Sequence, residues 1–347
     1  MDSIAQFLMG AAVGQAVLGP KNKAKGALIG GLAGSVQDLD VLLIGRSTLI
    51  EQFILHRGFS HSFIFCVIVA LLLAFGSQKL KFIKASFSRW TIFWFLVFFT
   101  HVLLDLCTTW GTQILWPNPT RFSLDCLFII DPIVWLILII SCILAKIKAK
   151  PLIAKIGVFL IGGYICLSLL FQQYIHYQLK PFFKSNQMIA TKVLVRPTAF
   201  NIFYWSVTVV TPSDNLLMGY VHVFKFSDSL MWLEPLKQNT HLLKKYHAKD
   251  LAAFIKLTKG FYVLSEKKDE LWIHDARFGM IGGWQQPKKP RFVFNYILNP
   301  KTGTFTQHRD AMPDAGELLK DLAIKVFCPT QQSSCPASSC NVQGKCK

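Results

Sequence analysis

Charged residues are scarce in this chain, and acidic residues are the scarcest. Only 16% of the 347 residues are charged, whereas soluble domains carry about 25%. Asp and Glu number 19 against 37 Lys and Arg, which gives a formal net charge of +18. Hydrophobic residues make up 52% of the chain and include 29 phenylalanines. This balance disfavours a wholly soluble protein and indicates surface that faces lipid.

The sequence also lacks an Arg-rich patch interleaved with aromatic residues, which disfavours nucleic acid as a partner despite the positive charge. Most basic residues of the first half lie in short loops between apolar runs. Such loops are typical of membrane topology signals and of attraction to anionic lipid headgroups. Membrane lipid is therefore an expected partner, and these loops leave open the identity of a small-molecule or lipid substrate.

Two further absences concern targeting and cysteine. No basic segment precedes the first apolar run, so no removable signal peptide is expected. No CxxC pair occurs among the four cysteines of the last twenty residues, which disfavours a structural zinc site there. If that tail lies outside the cytosol, disulfides are expected between some of these cysteines: Cys328, Cys335, Cys340 and Cys346.

Apolar residues gather in six runs before about residue 172. The fifth and sixth runs are long enough for a bilayer, which takes roughly 20 residues, while the first four are shorter or contain polar residues. Six runs separated by basic loops predict an α-helical polytopic membrane bundle of about six helices over residues 1–172. The runs are Ile4–Leu18, Ala27–Ile44, Phe59–Phe75, Trp90–Leu106, Leu127–Ala145 and Ile153–Phe171.

The pattern changes in the second half, where β-branched and aromatic residues alternate with polar ones. We predict a small soluble β-rich α+β domain over residues 190–312 that folds without the helical half, and a disordered Cys-containing tail over 326–347. Within the β-rich domain, Pro212 to Asn215 is expected to form a turn, and His241 to Thr258 one amphipathic helix. The expected strands contain KVLVRPT, FYWSVTVV, MGYVHVFKF, GFYVLS, LWIHDARF and RFVFNYIL.

Loop charges predict the orientation. Loops one, three and five are strongly basic, whereas loops two and four are not. The positive-inside rule places the basic loops in the cytoplasm. The N-terminus, loops two and four and the C-terminal domain would then be extracytoplasmic, in a multi-pass membrane protein.

Asp and His recur in three motifs of the membrane half. His101 and Asp105 are four residues apart and share one helix face. An Asp at the centre of a membrane helix costs about 2.5–3.5 kcal/mol, which pairing or metal binding would offset. The motifs are Gln37-Asp38-Leu39-Asp40, His56-Arg57-Gly58-Phe59-Ser60-His61-Ser62 and His101-Val102-Leu103-Leu104-Asp105.

Together the motifs predict a divalent-metal site at one membrane face. Imidazole and carboxylate ligands suit zinc, which we favour, and also manganese or iron. Six candidates exceed the three protein ligands of a typical catalytic zinc site, so either two metals bind or some residues are outer partners or a general base. The candidate ligands are Asp38, Asp40, His56, His61, His101 and Asp105.

Catalytic roles are expected for His61, Arg57 and Asp105. Arg57 would either clamp an anionic substrate group or be a plain charge at a helix boundary. Asp131, followed by Pro132, would be an outer partner of the metal site or a helix-start residue, and we favour the second.

At these motifs the sequence resembles the YdjM family of membrane-bound metal-dependent hydrolases. The resemblance runs in order through MDSIAQFLMG, QDLD, HRGFSHS, HVLLDLCTTWGTQILWP and RFSLDCLFIIDP, across residues 1–132. RPTAFNIFYW and LWIHDARFG are similar to the soluble part of longer members. The resemblance implies hydrolysis of a phosphoester or lipid-derived substrate, through a distant likeness to zinc-dependent phospholipase C.

The chain departs from the family pattern at two places. The family commonly has a Thr–His pair near the start, where this chain has Ala5 and Gln6, and a Pro where it has Gln37. Gln6 would offer a carbonyl oxygen in place of an imidazole nitrogen.

Two other functions use the same residues. A transport protein would pass ions or solutes through the Asp/His cluster, although such paths usually lie at the midplane of repeated helices and no internal repeat is evident. A non-catalytic metal-binding protein would use the β-rich domain as its partner module.

Overall fold

A computed structural model describes residues 1–19, 22–45, 48–80, 83–246, 250–287, 290–311 and 314–328. A helical half is followed by a half built on antiparallel strands. The helices of the first half are α1 Ser3–Leu18, α2 Lys23–Val36, α3 Asp40–Ile44, α4 Leu49–Leu55, α5 Phe63–Ser77, α6 Phe87–Leu106, α7 Pro132–Ile147 and α8 Pro151–Ser185, with 3₁₀ turns at Gln37–Leu39 and Phe59–His61.

The described part of the second half contains strands in two sheets and four short or amphipathic helices. The strands are β1 Lys192–Pro197, β2 Tyr204–Val210, β3 Asn215–His222, β4 Met231–Trp232, β5 Leu236–Lys237, β6 Tyr262–Lys267, β7 Glu270–Asp275, β8 Asn295–Leu298 and β9 Phe305–His308. The helices are α9 Phe226–Ser229, α10 Leu242–Lys245, α11 Leu251–Leu257 and α12 Ala315–Phe327.

Helices α1 and α2 pack backbone against backbone through glycines. Gly10 faces Gly30, and Gly14 faces Gly26, so closely that an added Cβ on Gly30 would collide with the carbonyl oxygen of Gly10. Small residues four apart are typical of close helix contacts inside membranes. This contact fixes α2, whose last turn carries Gly34 and leads directly into the Asp38 segment.

Helix α8 brings the chain back to the face at which α6 ends. The Tyr164 hydroxyl donates to Asp131 at the start of α7, at 2.9 Å. About two turns beyond Tyr164, the amide of Gln172 donates to the carbonyl oxygens of Leu124 and Val195, both at 2.9 Å. The strand domain therefore begins on the face where α6 ends. The C-terminal ends of α5 and α7 lie on the opposite face.

Two helices are long and apolar enough to cross a membrane by length and composition, namely α6 and α8. A third crossing arises if Leu49–His61 and α5, which meet at a 56° bend, form one span. Helices α1 and α7 are apolar but shorter, with 16 residues each. The described helices thus support two to three spans, and the bundle of about six membrane helices stays a prediction.

Several predicted boundaries change. The second run breaks at Gln37 into a 3₁₀ turn, and the fifth becomes helical only at Pro132, where Asp131 caps the helix. Helix α8 continues past residue 172 to Ser185.

The single helix predicted from His241 to Thr258 was wrong. Tyr246 leaves α10 with extended dihedral angles, φ −107° and ψ 121°. Its ring is buried with Leu251 and Phe254 in the core between α11 and the second sheet. Burial of this ring accounts for the interruption.

Each predicted segment contains a strand, but some bounds change: MGYVHVFKF leaves the sheet after His222, and RFVFNYIL becomes a strand only at Asn295. The first sheet has the order β1-β2-β3-β4, with β5 also on β3, and the second has the order β6-β7-β8-β9; all pairs are antiparallel. The predicted turn closes with a hydrogen bond from the amide of Thr211 to the carbonyl oxygen of Asn215, at 2.9 Å. Every residue of β2 is buried, so both faces of this strand are covered.

The apolar core does not stop where the strands begin. One cluster joins Leu138 and Ile175 of the helical half to Val195 and Trp205 of the first sheet. The ring of Phe53 contacts Tyr296 of the second sheet edge-on at 5.5 Å. A fragment of residues 190–310 would expose these surfaces, and its independent folding stays a prediction.

Histidines of the strand domain have ordinary structural surroundings where they are described. His274 lies between Ser265 and Asn295, at 2.9 and 2.6 Å, and burial lowers its pKa. His222 contacts the carbonyl oxygen of Val326 at 3.1 Å, and burial lowers its pKa too. His247 and the last three tail cysteines lie outside the described residues; Cys328 is exposed with a free thiol.

Candidate metal centre

Three segments bring the Asp/His motifs together at the end of α6. Asp38 lies in the 3₁₀ turn after α2, and His61 in the turn before α5. His101 and Asp105 project from the last turns of α6. The turn holding His61 is fixed because Ser62 caps α5, its hydroxyl accepting from the amide of Phe65 at 3.1 Å.

One ligand atom from each of four residues, Asp38, His61, His101 and Asp105, lies within 4.8 Å of all the others. The two imidazole Nε2 atoms are 3.2 Å apart. Asp38 Oδ1 lies 3.6 Å from His61 Nε2 and 3.4 Å from His101 Nε2. Asp105 Oδ2 lies 3.4 Å from His61 Nε2 and 3.7 Å from His101 Nε2.

These separations match a tetrahedral zinc-sized ion. Four ligands about 2.0–2.1 Å from a central ion lie roughly 3.3–3.4 Å from one another. The five separations range from 3.2 to 3.7 Å. Five of the six separations among the four atoms are therefore close to those that an ion between them would require, and the sixth, between the two carboxylates, is within 4.8 Å.

The orientation of both imidazoles also favours a cation. Nδ1 of His101 donates to the carbonyl oxygen of Gly34 at 2.6 Å, and a carbonyl can only accept. Nδ1 of His61 faces the Ser60 hydroxyl at 2.9 Å and Asp40 Oδ2 at 3.4 Å. With the protons held on Nδ1, each Nε2 directs a lone pair into the cluster, as in metal-bound histidines.

Asp105 supplies a further sign of a cation. Its Oδ1 accepts from the Gln6 amide at 3.1 Å and from the amino group of Met1. Its Oδ2 is fully buried and accepts no hydrogen bond from the described residues, and its one close cation is Arg57 Nε, 3.0 Å away. Buried carboxylate oxygens are seldom left unsatisfied, so an oxygen directed at two imidazole lone pairs fits a metal ligand.

Gln6, at the position where the resemblance led us to expect His, also faces the centre. It is 1% exposed, and its amide nitrogen donates to Asp105 and to the carbonyl oxygen of His101, at 3.1 and 3.3 Å. Its Oε1 is buried without a partner in the described part of the chain. Gln6 thus orients Asp105 instead of adding an imidazole ligand.

The other two predicted ligands lie behind His61, outside the four ligand atoms. His56 Nδ1 is 2.6 Å from Asp40 Oδ1. The other oxygen of Asp40 accepts from the Ser60 hydroxyl at 2.6 Å and from the Arg57 amide at 3.2 Å. The predicted set of six ligands is therefore narrowed to four, with Asp40 supporting His61 from its other nitrogen.

We expect Asp40→Asn to weaken metal binding without abolishing it. The substitution removes the charge behind His61, and loss of such an outer partner typically costs 10–100-fold in metal affinity. Competition with a zinc chelator measures the change, with Asp310→Asn, at a half-buried carboxylate of the strand domain, as control. An affinity within about twofold of the control would contradict the support assigned to Asp40.

Arg57 is not an exposed clamp for a substrate anion. It is 5% exposed and adopts a positive φ of 58° in the turn before His61. Its Nε lies 3.0 Å from Asp105 Oδ2 in an ion pair, and its Nη1 donates to Thr108 Oγ1 at 3.3 Å. Its charge therefore balances Asp105 within the centre.

Asp131 is a helix-start residue, as favoured from the sequence. Its Oδ1 accepts from the amides of Ile133 and Val134 at 3.0 and 3.4 Å. Pro132 occupies the first turn of α7. None of these contacts involves the metal centre.

Sequence reasoning missed the groups that orient the ligands. The Gly34 carbonyl is a backbone atom and carries no residue-specific signal. Ser60 lay within the HRGFSHS motif but was given no role, although its hydroxyl contacts both Asp40 and His61.

A family model described as YdjM inner membrane protein matches residues 1–176. That stretch is half of the chain and contains all four candidate ligand residues. The chain belongs to the YdjM inner membrane protein family. No curated protein and no solved structure gives a significant match.

Membership agrees with the apolar helices of this YdjM protein and places it among inner membrane proteins. The family's description says nothing of chemistry, so the likeness to zinc-dependent phospholipase C stays a prediction.

Proposed function

We propose that this YdjM protein is a membrane-bound metal-dependent hydrolase. One observation carries the proposal: the four ligands differ in exposure. The side chains of His61, His101 and Asp105 are at most 1% exposed, whereas that of Asp38 is 24% exposed. If the partly exposed Asp38 gave way to water, two histidines and one buried carboxylate would remain, as in catalytic zinc sites of the His₂Glu type.

The residues fit zinc best, and manganese or iron share the same ligand types. A divalent ion bound here would lower the pKa of a water molecule and polarise a phosphoryl or carbonyl oxygen. The protein's own part is to hold the imidazoles through Gly34 and Asp40 and to balance Asp105 with Arg57.

Asp38 is the residue placed to move a proton. It borders both imidazoles, and it is the ligand that solvent and substrate can reach. A carboxylate at the opening can accept a proton from water during attack and return it to the leaving group. This assignment replaces the catalytic roles predicted for His61 and Asp105, whose atoms are buried in the ligand set.

Apolar side chains around the opening support a lipid-derived or phosphoester substrate. Leu39 and Val41, on either side of Asp40, are each 50% exposed, and Leu42 is 72% exposed. Phe59, two residues before His61, is 48% exposed. Such surface is costly in water but is stabilised by acyl chains at the edge of a membrane.

We expect Asp38→Asn to lower kcat at least 100-fold, the usual scale for a lost proton-transfer group. Bound metal should stay above about half, because Asn keeps an oxygen ligand. The assay is hydrolysis of phosphodiester and phospholipid substrates by purified full-length protein, beside metal content, with Glu266→Gln as control. An unchanged kcat would refute the role of Asp38, and metal-loaded protein inactive on every substrate would refute the hydrolase proposal.

A non-catalytic metal-binding protein is the second candidate. Four protein ligands at tetrahedral spacing are typical of structural zinc sites. The two candidates differ in turnover, because a structural ion would support none. An ion-conducting path is less well supported, because the cluster lies where α6 ends rather than at its middle.

We also propose that the metal centre and the strand domain face outward from the cytoplasm. Gln172 links α8 to loop 107–131 and to β1 on the same face as the centre. Lys79, Lys84 and Arg89 lie at the other ends of α5 and α6, and Lys146 and Lys148 at the end of α7. The positive-inside rule assigns that basic face to the cytoplasm.

A further inference from the structure

A pocket of about 720 Å³ lies at the end of the helical half opposite the metal centre. It is formed where α5 ends and α6 begins, 12 residues and more before His101 on α6. Its volume is within the usual range for small-ligand sites, about 300–1,000 Å³. The lining residues are Gln78, Lys79, Leu80, Ile83, Lys84, Ala85, Ser86 and Arg89.

The pocket is strongly cationic. Three of its lining residues, Lys79, Lys84 and Arg89, carry a positive charge. None of them forms an ion pair with a residue in the described part of the chain. The sequence offers no acidic residue at all between Glu51 and Asp105. These three clustered cations are therefore free to bind an anionic group of another molecule.

The rest of the pocket joins this charge to apolar surface. Ile83 is 1% exposed and belongs to the helical core, against which Leu80 also packs. Beside the pocket, Leu72 and Phe75 on α5 are 67% and 69% exposed, and Phe87 on α6 is 41% exposed. A ligand that fits must combine an anionic head with apolar chains.

We propose that this pocket binds the headgroup of an anionic glycerophospholipid, with its acyl chains along the exposed side chains of α5 and α6. Basic pockets between membrane helices are known to hold anionic headgroups. A free phosphate would use the cations but not Leu72, Phe75 or Phe87. The proposal does not depend on the metal centre, which is at the other end of α6.

The test compares two triple variants of the full-length protein. K79Q/K84Q/R89Q removes the three pocket cations, and K146Q/K148Q/K150Q removes the same charge from the connection between α7 and α8 on the same face. Titration with phosphatidylglycerol, followed by native mass spectrometry in detergent, measures affinity, and phosphatidylcholine serves as the neutral lipid. Elution volume and metal content confirm that each variant is folded.

Each cation near a lipid surface contributes about fivefold in affinity. We therefore expect the pocket triple variant to lose on the order of 100-fold in phosphatidylglycerol affinity, and Lys84→Gln alone to lose about fivefold. The loss in the control triple variant should be about tenfold smaller than the loss in the pocket triple variant.

Equal losses in both triple variants would show attraction to the whole basic face and overturn the pocket. Equal affinity of the unaltered protein for phosphatidylcholine would also overturn it. Glycerol 3-phosphate is the probe for a soluble source. If it binds as tightly as the lipid, the ligand is a free phosphate and the lipid assignment is wrong. If the pocket triple variant does not fold, the fivefold effect of Lys84→Gln decides the matter.

Discussion

His61→Ala is expected to lower the metal affinity of the purified protein by about 100-fold or more, since even outer-partner losses cost 10–100-fold. His61 is the ligand with the most support: its Nε2 lies within 3.6 Å of three other ligand atoms, and its Nδ1 is held by Ser60 and Asp40. Only one imidazole and two carboxylates would remain to hold the ion.

Metal content after dialysis and chelator competition measure this loss. His308→Ala is the matched control, because this half-buried histidine also lies near a carboxylate, 3.5 Å from Asp310, but belongs to the strand domain. Asp105→Asn should also lower the metal affinity, because it removes the charge while keeping a side chain of the same shape between Arg57 and Gln6. Full metal retention in both His61→Ala and Asp105→Asn would refute the four-ligand centre.

Gly30→Val is expected to destabilise the helical half by about 3 kcal/mol or more, above the usual cost of overpacking, because the obstruction is backbone. The new side chain would meet the Gly10 carbonyl oxygen far inside van der Waals distance. Helices α1 and α2 would have to separate. Gly34 would then move away from His101, whose Nδ1 it now fixes at 2.6 Å, and metal affinity should fall with stability.

Gly162→Val on α8 is the matched control, since nothing lies within 4 Å of a Cβ added there. Thermal unfolding in detergent and metal content are read for both variants. The expected result is a large loss for Gly30→Val in both measurements and a small change for Gly162→Val. Equal melting temperatures for the two variants would show that the glycine contact does not position the centre.

The sequence predicted which residue types form the site, but it did not predict which of the six candidates lie in the cluster. Asp105 and His101 were paired correctly because a four-residue spacing fixes two side chains on one helix face. The separation of Asp38 from Asp40 could not be predicted, since it depends on the 3₁₀ turn at Gln37. That turn directs Asp38 to the cluster and Asp40 to the back of His61.

The burial of Arg57 was also beyond the sequence. From the sequence alone, an Arg in a His-rich turn is equally compatible with a clamp for an anionic substrate group and with a charge at a helix boundary. Its side chain reaches Asp105 because residue 57 adopts a positive φ, which bends the chain between His56 and the α5 start. Contacts between distant segments decide such cases.

In the second half, alternation predicted the strands but not what covers them. Val195 and Trp205 are buried against the helical half, and a period of two cannot tell a sheet partner from a helix partner. The interruption at Tyr246 likewise depends on a ring that packs against α11.

The central claim is that Asp38, His61, His101 and Asp105 hold one divalent ion. X-ray absorption at the zinc edge, on full-length protein loaded with one equivalent of zinc, tests it most directly. The account predicts four nitrogen or oxygen neighbours at about 2.0–2.1 Å, with the outer scattering of two imidazoles and no sulfur at about 2.3 Å. A sulfur neighbour, a shell without imidazole, or failure to retain zinc would contradict it.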